Sequence, residues 1–128
     1  MSAISLEEVL YLHYRLTSKF GGLDNDQGVR LPVLLAAALS RPFARVNGRD
    51  IYSTPFDKAG ILLFGLISAQ CFRQNNEQTA IAAALLLLDK LGYRLSKSAS
   101  ITQLAALVEQ GTDWRKISLW FKENCTLV

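Results

Sequence analysis

The side chains best placed for chemistry fall between residues 69 and 80, which read AQCFRQNNEQTA. A polar run sits there between two long apolar stretches, the pattern of a loop feeding the first turn of a buried helix. Backbone N–H groups at such a helix start are ready for an anion. Asn75, Asn76 and Thr79 stand at that helix start and mark a candidate anion or phosphate site. The rest of the run opposes phosphate chemistry: Gln70, Gln74 and Gln78 are neutral amides, and Glu77 is negative. A carboxamide takes up no proton near neutral pH, and a site without its general base forfeits on the order of 10²–10⁴ in rate. No catalytic residue, metal ligand or cofactor is expected from these residues as they stand.

The elements that must hold this loop are helices. Ser5 and Glu8 form a capping box that opens the first, running to about Phe20 and a Gly21-Gly22 stop. Leu6, Val9, Leu10, His13 and Leu16 share one face of it. The stretch GGLDNDQG reads as a loop, and a second helix covers about Leu31 to Ser40. Thr54, Pro55 and Asp57 start a third that reaches about Cys71. A fourth, nearly uncharged and expected to be central, runs from about Asn76 to Gly92. SITQ at Ser100 predicts a capping box for a fifth, and TDWRKISLWFKENC is a sixth. Between the second and third helices, Asn47-Gly48 within ARVNGRDIY predicts a tight β-hairpin. A lone hairpin is marginally stable, so it must pack on the helices or serve a partner. The expected fold is all-α, with about six helices and one short hairpin, in a single domain over 1–128.

Bulk properties exclude several classes. Half of the 128 residues are hydrophobic, enough for a folded core. Fourteen basic and eleven acidic residues give a net charge of +3 with no run of like charge, so no strong nucleic-acid signal is present. The apolar stretches hold about 10 to 14 uncharged residues, whereas a membrane-spanning helix needs roughly 20. No signal peptide is read at the N-terminus. The two cysteines, Cys71 and Cys125, suggest reduced thiols and a cytoplasmic location. His13, the single histidine, reads as a packing or hydrogen-bonding residue rather than the partner of a nucleophilic Cys71. Trp114 and Trp120 read as core or interface. Arg45, Arg49 and Lys58 read as solvated charges that also suit a partner's acidic groups.

The chain resembles the Doc branch of the Fic/Doc family. The resemblance rests on EEVLYLHYRLTSKFGG, LLAAALSRP, NGRDIYSTPFDKAGILLFGLI and TAIAAALLLLDKLGYRL, spanning about residues 5 to 95. The family's loop, His-Pro-Phe-x-Asp-Gly-Asn-Lys-Arg-Thr with variants, falls on QCFRQNNEQT without a gap. Phe72, Asn76 and Thr79 keep the pattern. The family's base His falls on Gln70, its metal-holding acid on Gln74, its Gly on Asn75, its Lys or Gly on Glu77 and its Arg on Gln78. The resemblance implies nucleotide-dependent transfer to a protein hydroxyl, with ATP and Mg if active, and pairing with an antitoxin. It also implies that the hairpin is a flap that pairs with a partner's backbone, through Arg45, Val46, Asn47, Gly48, Arg49 and Asp50. The departures from the pattern point instead to a degenerate, Doc-like protein that acts by binding a protein partner through flap and groove. A working transferase or toxin, and a structural subunit of a larger complex, are the alternatives.

Overall fold

A computed structural model describes residues 4–20, 31–72 and 74–128. The expected Gly-Gly stop and the loop after it lie outside the described residues. The chain order is α1 (Leu6–Phe20), α2 (Pro32–Ser40), a 3-10 turn (Arg41–Phe43), β1 (Arg45–Val46), β2 (Arg49–Asp50), α3 (Pro55–Ala69), α4 (Asn76–Lys90), β3 (Tyr93–Leu95), α5 (Ile101–Glu109), α6 (Trp114–Asn124) and β4 (Cys125–Leu127). The fold is mostly helical, as expected.

Local signals explain several element starts. Ser5 N–H donates to Glu8 Oε1 at 2.9 Å, and Glu8 N–H donates to Ser5 Oγ at 3.1 Å, so the first capping box is formed. Glu8 also meets Lys90 Nζ at 2.6 Å, tying α1 to α4. That ammonium, then the Ser5 N–H, hold the Glu8 carboxyl below the usual carboxylate range. Thr54 Oγ1 accepts from Asp57 N–H at 3.0 Å and caps α3. Asp113 accepts from the N–H groups of Arg115 and Lys116 and caps α6. The box expected at Ser100 does not form. Its hydroxyl caps nothing, and Gln103 N–H is satisfied by the Ser100 carbonyl at 3.0 Å instead. Asn47 and Gly48, at φ 53° and 76°, make the predicted hairpin turn; both residues must be left-handed there, which Asn-Gly tolerates best.

Three further findings correct the sequence reading. A second antiparallel ribbon pairs β3 with β4, in the register Tyr93↔Leu127, Arg94↔Thr126 and Leu95↔Cys125. The central helix is α3 rather than α4: α3 packs on α2, α4 and α6, while α4 packs on α1, α3 and β3. Gly60 makes the α3–α6 approach possible, because a Cβ there would sit 2.8 Å from the Trp114 carbonyl oxygen and 3.1 Å from Ser118 N. Finally, Lys58 is not solvated. It is 7% exposed, donates to Asp50 Oδ2 at 3.1 Å and also donates to the Tyr52 carbonyl. Its one-turn offset from the cap of α3 aims it beneath the hairpin, where Asp50 lies between Arg45, at 2.8 Å, and Lys58. The Arg45 guanidinium and then the Lys58 ammonium hold the Asp50 carboxyl below its ordinary range.

Lys58 thus answers the question of what steadies so short a hairpin: it bolts β2 to the first turn of α3. Lys58→Met is expected to lower unfolding free energy by about 1–3 kcal/mol, since it strands a buried carbonyl while Asp50 keeps Arg45 and some water. Urea unfolding checks this, and an unchanged midpoint would show that the pair holds nothing.

Candidate functional site

The loop between α3 and α4 turns on two left-handed residues, Gln70 at φ 49° and Asn75 at φ 60°. Neither is glycine, so each conformation costs on the order of 1 kcal/mol that its surroundings must supply. The supply is visible. Phe72 is buried in the core and its ring stacks on His13, with centroids 4.0 Å apart and planes 12° from parallel. His13 Nε2 lies 3.0 Å from the Gln74 carbonyl. A carbonyl can only accept, so that nitrogen carries the hydrogen and donates it. Thr17 Oγ1 lies 3.3 Å from the same nitrogen and accepts from Asn75 Nδ2 at 3.3 Å. Helix α1 therefore grips the loop from below through His13 and Thr17. The expectation that His13 packs and hydrogen-bonds is met, and the sequence carried no sign that its partner would be the candidate loop itself.

The polar side chains of the run are drawn largely into holding it. Asn76 forms a closed pair with the backbone of Phe72: its Oδ1 accepts from Phe72 N–H at 3.0 Å and its Nδ2 donates to the Phe72 carbonyl at 2.9 Å. Gln70 Nε2 donates to the Ile67 carbonyl at 2.7 Å, satisfying one of the orphan carbonyls at the end of α3. Gln70 Oε1 faces Asn76 Nδ2 at 3.4 Å. Thr79 is buried within α4, its N–H bonded to the Asn75 carbonyl at 3.0 Å. Its hydroxyl has no partner among the described residues. No side chain caps the start of α4. Gln74 and Asn75 are half-buried, and Gln78 is exposed.

Electrostatics at the helix start are adverse to anions. Burial, and secondarily the charge of Glu109 at the end of α5, push the Glu77 carboxyl above the usual range. Cys71 is buried and its thiol is pushed up by desolvation, the opposite of an activated thiolate. Among the described residues no group of His, Cys, Asp and Glu side chains has the arrangement of a metal site, and no helix is long and apolar enough to cross a membrane.

One turn of α3 before Gln70 a cavity of about 220 Å³ opens, lined by Leu63, Phe64, Ile67, Val108, Gly111 and Ile117 among others. It lies between α3 and the α5–α6 corner, and its lining is mainly apolar. The hairpin lies at the opposite end of α3, beside that helix's first turn, so the loop and the hairpin are joined by the length of α3. Arg45, Val46, Asn47, Gly48 and Arg49 are exposed on it, and Asp50 is half-buried.

Residues 3–88 match the Fic/DOC family. The chain is 35% identical over 91 residues to Toxin Doc of Mycolicibacterium smegmatis, a match covering 71% of this chain and 68% of that protein. It is 31% identical over 104 residues to Protein kinase doc of Escherichia phage P1, covering 81% of this chain and 79% of that one.

Proposed function

The chain belongs to the Fic/Doc family, and on that premise we propose that it is a catalytically degenerate member that acts by binding a protein partner. The partner engages the hairpin, through Arg45 to Asp50, and the groove beside residues 70–79. An antitoxin is the partner that the family resemblance implies. The observation that carries this reading is the make-up of the loop on which the family's motif falls. Gln70, Gln74, Glu77 and Gln78 stand where a base, a metal-holding acid and cationic phosphate clamps would be needed.

The surroundings of those residues support it. Phosphoryl and nucleotidyl transfer depend on positioned charge more than on covalent chemistry. The Gln70 amide is engaged by the end of α3 and the Asn76 amide by Phe72. The Gln74 side chain is a neutral amide where a metal-holding carboxylate would be needed, its backbone carbonyl being the group that His13 engages, and Glu77 adds negative charge where the family's motif places a phosphate-neutralising cation. These groups do not fit a magnesium-bound nucleotide. A second reading, ATP-dependent modification of a protein hydroxyl with magnesium, is favoured by one observation, the likeness to a relative named as a protein kinase.

Thermal unfolding in the presence of ATP and Mg²⁺ separates the two. The wild-type chain is expected to show no shift at millimolar nucleotide. A variant carrying Gln70→His, Gln74→Asp, Glu77→Lys and Gln78→Arg, once shown to unfold cooperatively on its own, is expected to be stabilised, by about 2.7 kcal/mol when ligand reaches 100 times Kd. A wild-type shift of that size, with transfer to a protein substrate, would overturn the binding reading.

A further inference from the structure

We propose that the face formed by the hairpin and the first turn of α6 docks an acidic segment of a partner protein, an inference that rests on the binding reading above and names the partner's chemistry. The cations gather at one end of the molecule. Arg41 Nε donates to the Tyr52 hydroxyl at 3.1 Å. Tyr52 meets Trp114 edge-on at 5.1 Å between centroids. The Arg115 guanidinium lies 4.9 Å over the Trp114 ring. Two arginines from distant parts of the sequence are thus strung on one aromatic pair, with Arg45 and Arg49 on the neighbouring hairpin and Lys116 beside Arg115.

The nearby carboxylates leave much of this charge unanswered. Asp50 is held by Arg45 and Lys58, Asp57 accepts from the Ser118 hydroxyl, and Asp113 caps α6. Among the described residues, no carboxylate lies within ion-pair distance of Arg41, Arg49, Arg115 or Lys116, and all four are exposed. Asp57 and Asp113 keep their negative charge, yet Arg41, Arg45, Arg49, Lys58, Arg115 and Lys116 outnumber the carboxylates of Asp50, Asp57 and Asp113, so a chain with a net charge of only +3 concentrates positive charge on one face. The aromatic supports matter as well. A guanidinium held by a hydroxyl or lying over an indole gives up less freedom when it meets a carboxylate, and its planar fork matches that group in two hydrogen bonds.

Carboxylate, rather than nucleic acid, is the chemistry this face favours. Single-stranded nucleic acids seek open aromatic faces for base stacking. Here Tyr52 is buried, and Trp114 is covered by Arg115 on a face and met by Tyr52. An acidic peptide needs no such platform, and the hairpin beside the patch leaves its strand edges open to an extended chain.

The test uses the full chain and a synthetic glutamate-rich peptide, with a single-stranded oligonucleotide of equal charge as competitor. Binding is read from tryptophan fluorescence, and Trp114→Phe identifies the local part of the signal. The wild type is expected to bind the peptide with an affinity that falls with salt. Arg41→Glu with Arg115→Glu is expected to weaken it about tenfold or more, while Lys97→Glu with Lys122→Glu, the same charge change elsewhere, leaves it within about twofold. Equal loss in both double variants would reduce the effect to net charge and overturn the proposal. So would preference for the oligonucleotide, or no peptide binding at low salt. None of these outcomes bears on the nucleotide titration, so the docking face and the loss of catalysis stand or fall separately.

Discussion

Phe72→Ala is expected to destabilise the protein by about 3–5 kcal/mol, roughly a fifth or more of the stability of an ordinary domain. Two losses combine. The ring is fully buried, so its removal gives up apolar burial and leaves a cavity that rigid helices fill only in part. Its removal also takes away the surface on which His13 lies, and with it the support of the His13–Gln74 bond that keeps the loop over α1. The two left-handed residues, Gln70 and Asn75, then lose the packing that offsets their strain. Phe72→Leu keeps most of the volume and is expected to cost less than about 1.5 kcal/mol. Chemical denaturation of the pair checks this. A loss below about 1 kcal/mol for the alanine variant would mean that the loop hangs beside the core rather than entering it.

Phe72 also illustrates what the sequence made legible. An aromatic residue inside a polar run, between two apolar helices, reads directly as an anchor. The Ser5–Glu8 box, the Thr54 cap and the Asn47-Gly48 turn were equally plain, because each depends on residues within four positions of one another. Lys58 was misread because its partner is set by how the hairpin folds back, and a lysine three residues into a helix looks solvated until Asp50 arrives. The β3–β4 ribbon was missed for a similar reason: Tyr93–Leu95 and Cys125–Leu127 lie some thirty residues apart, with no turn signal linking them. At Ser100 the short-range pattern was present and tertiary context overrode it, the backbone carbonyl taking the bond predicted for the hydroxyl. For the candidate loop, residue identities were legible and their engagements were not. That Asn76 closes on Phe72 and that His13 reaches Gln74 are facts of packing between α1 and the α3–α4 turn.

Gly60→Ala tests the part of the fold that the sequence left hidden, the contact that makes α3 central. The expected cost is about 3 kcal/mol, the upper end of the usual overpacking range. The reason is the kind of atom in the way. The added methyl would meet the Trp114 carbonyl oxygen at 2.8 Å, Ser118 N at 3.1 Å and Ser118 Cα at 3.3 Å, all of them backbone. A side chain can rotate away, but a helix must move as a unit, so relief means shifting α6 off α3. That shift pulls on the Ser118–Asp57 hydrogen bond and on Trp114, which carries Arg115 and meets Tyr52. Helix propensity would by itself make the change stabilising by about 1 kcal/mol, so the sign of the result decides between local preference and close packing. A second glycine supplies the control. At Gly65 the added carbon finds only the Ala38 methyl, at 3.7 Å, an ordinary contact, and Gly65→Ala is expected to be neutral or stabilising. If both variants are stabilised, the two helices are not in the close register described. If Gly60→Ala alone is destabilised and also dims the peptide-dependent Trp114 fluorescence, then the packing of α6 on α3 is what holds the cationic face in place.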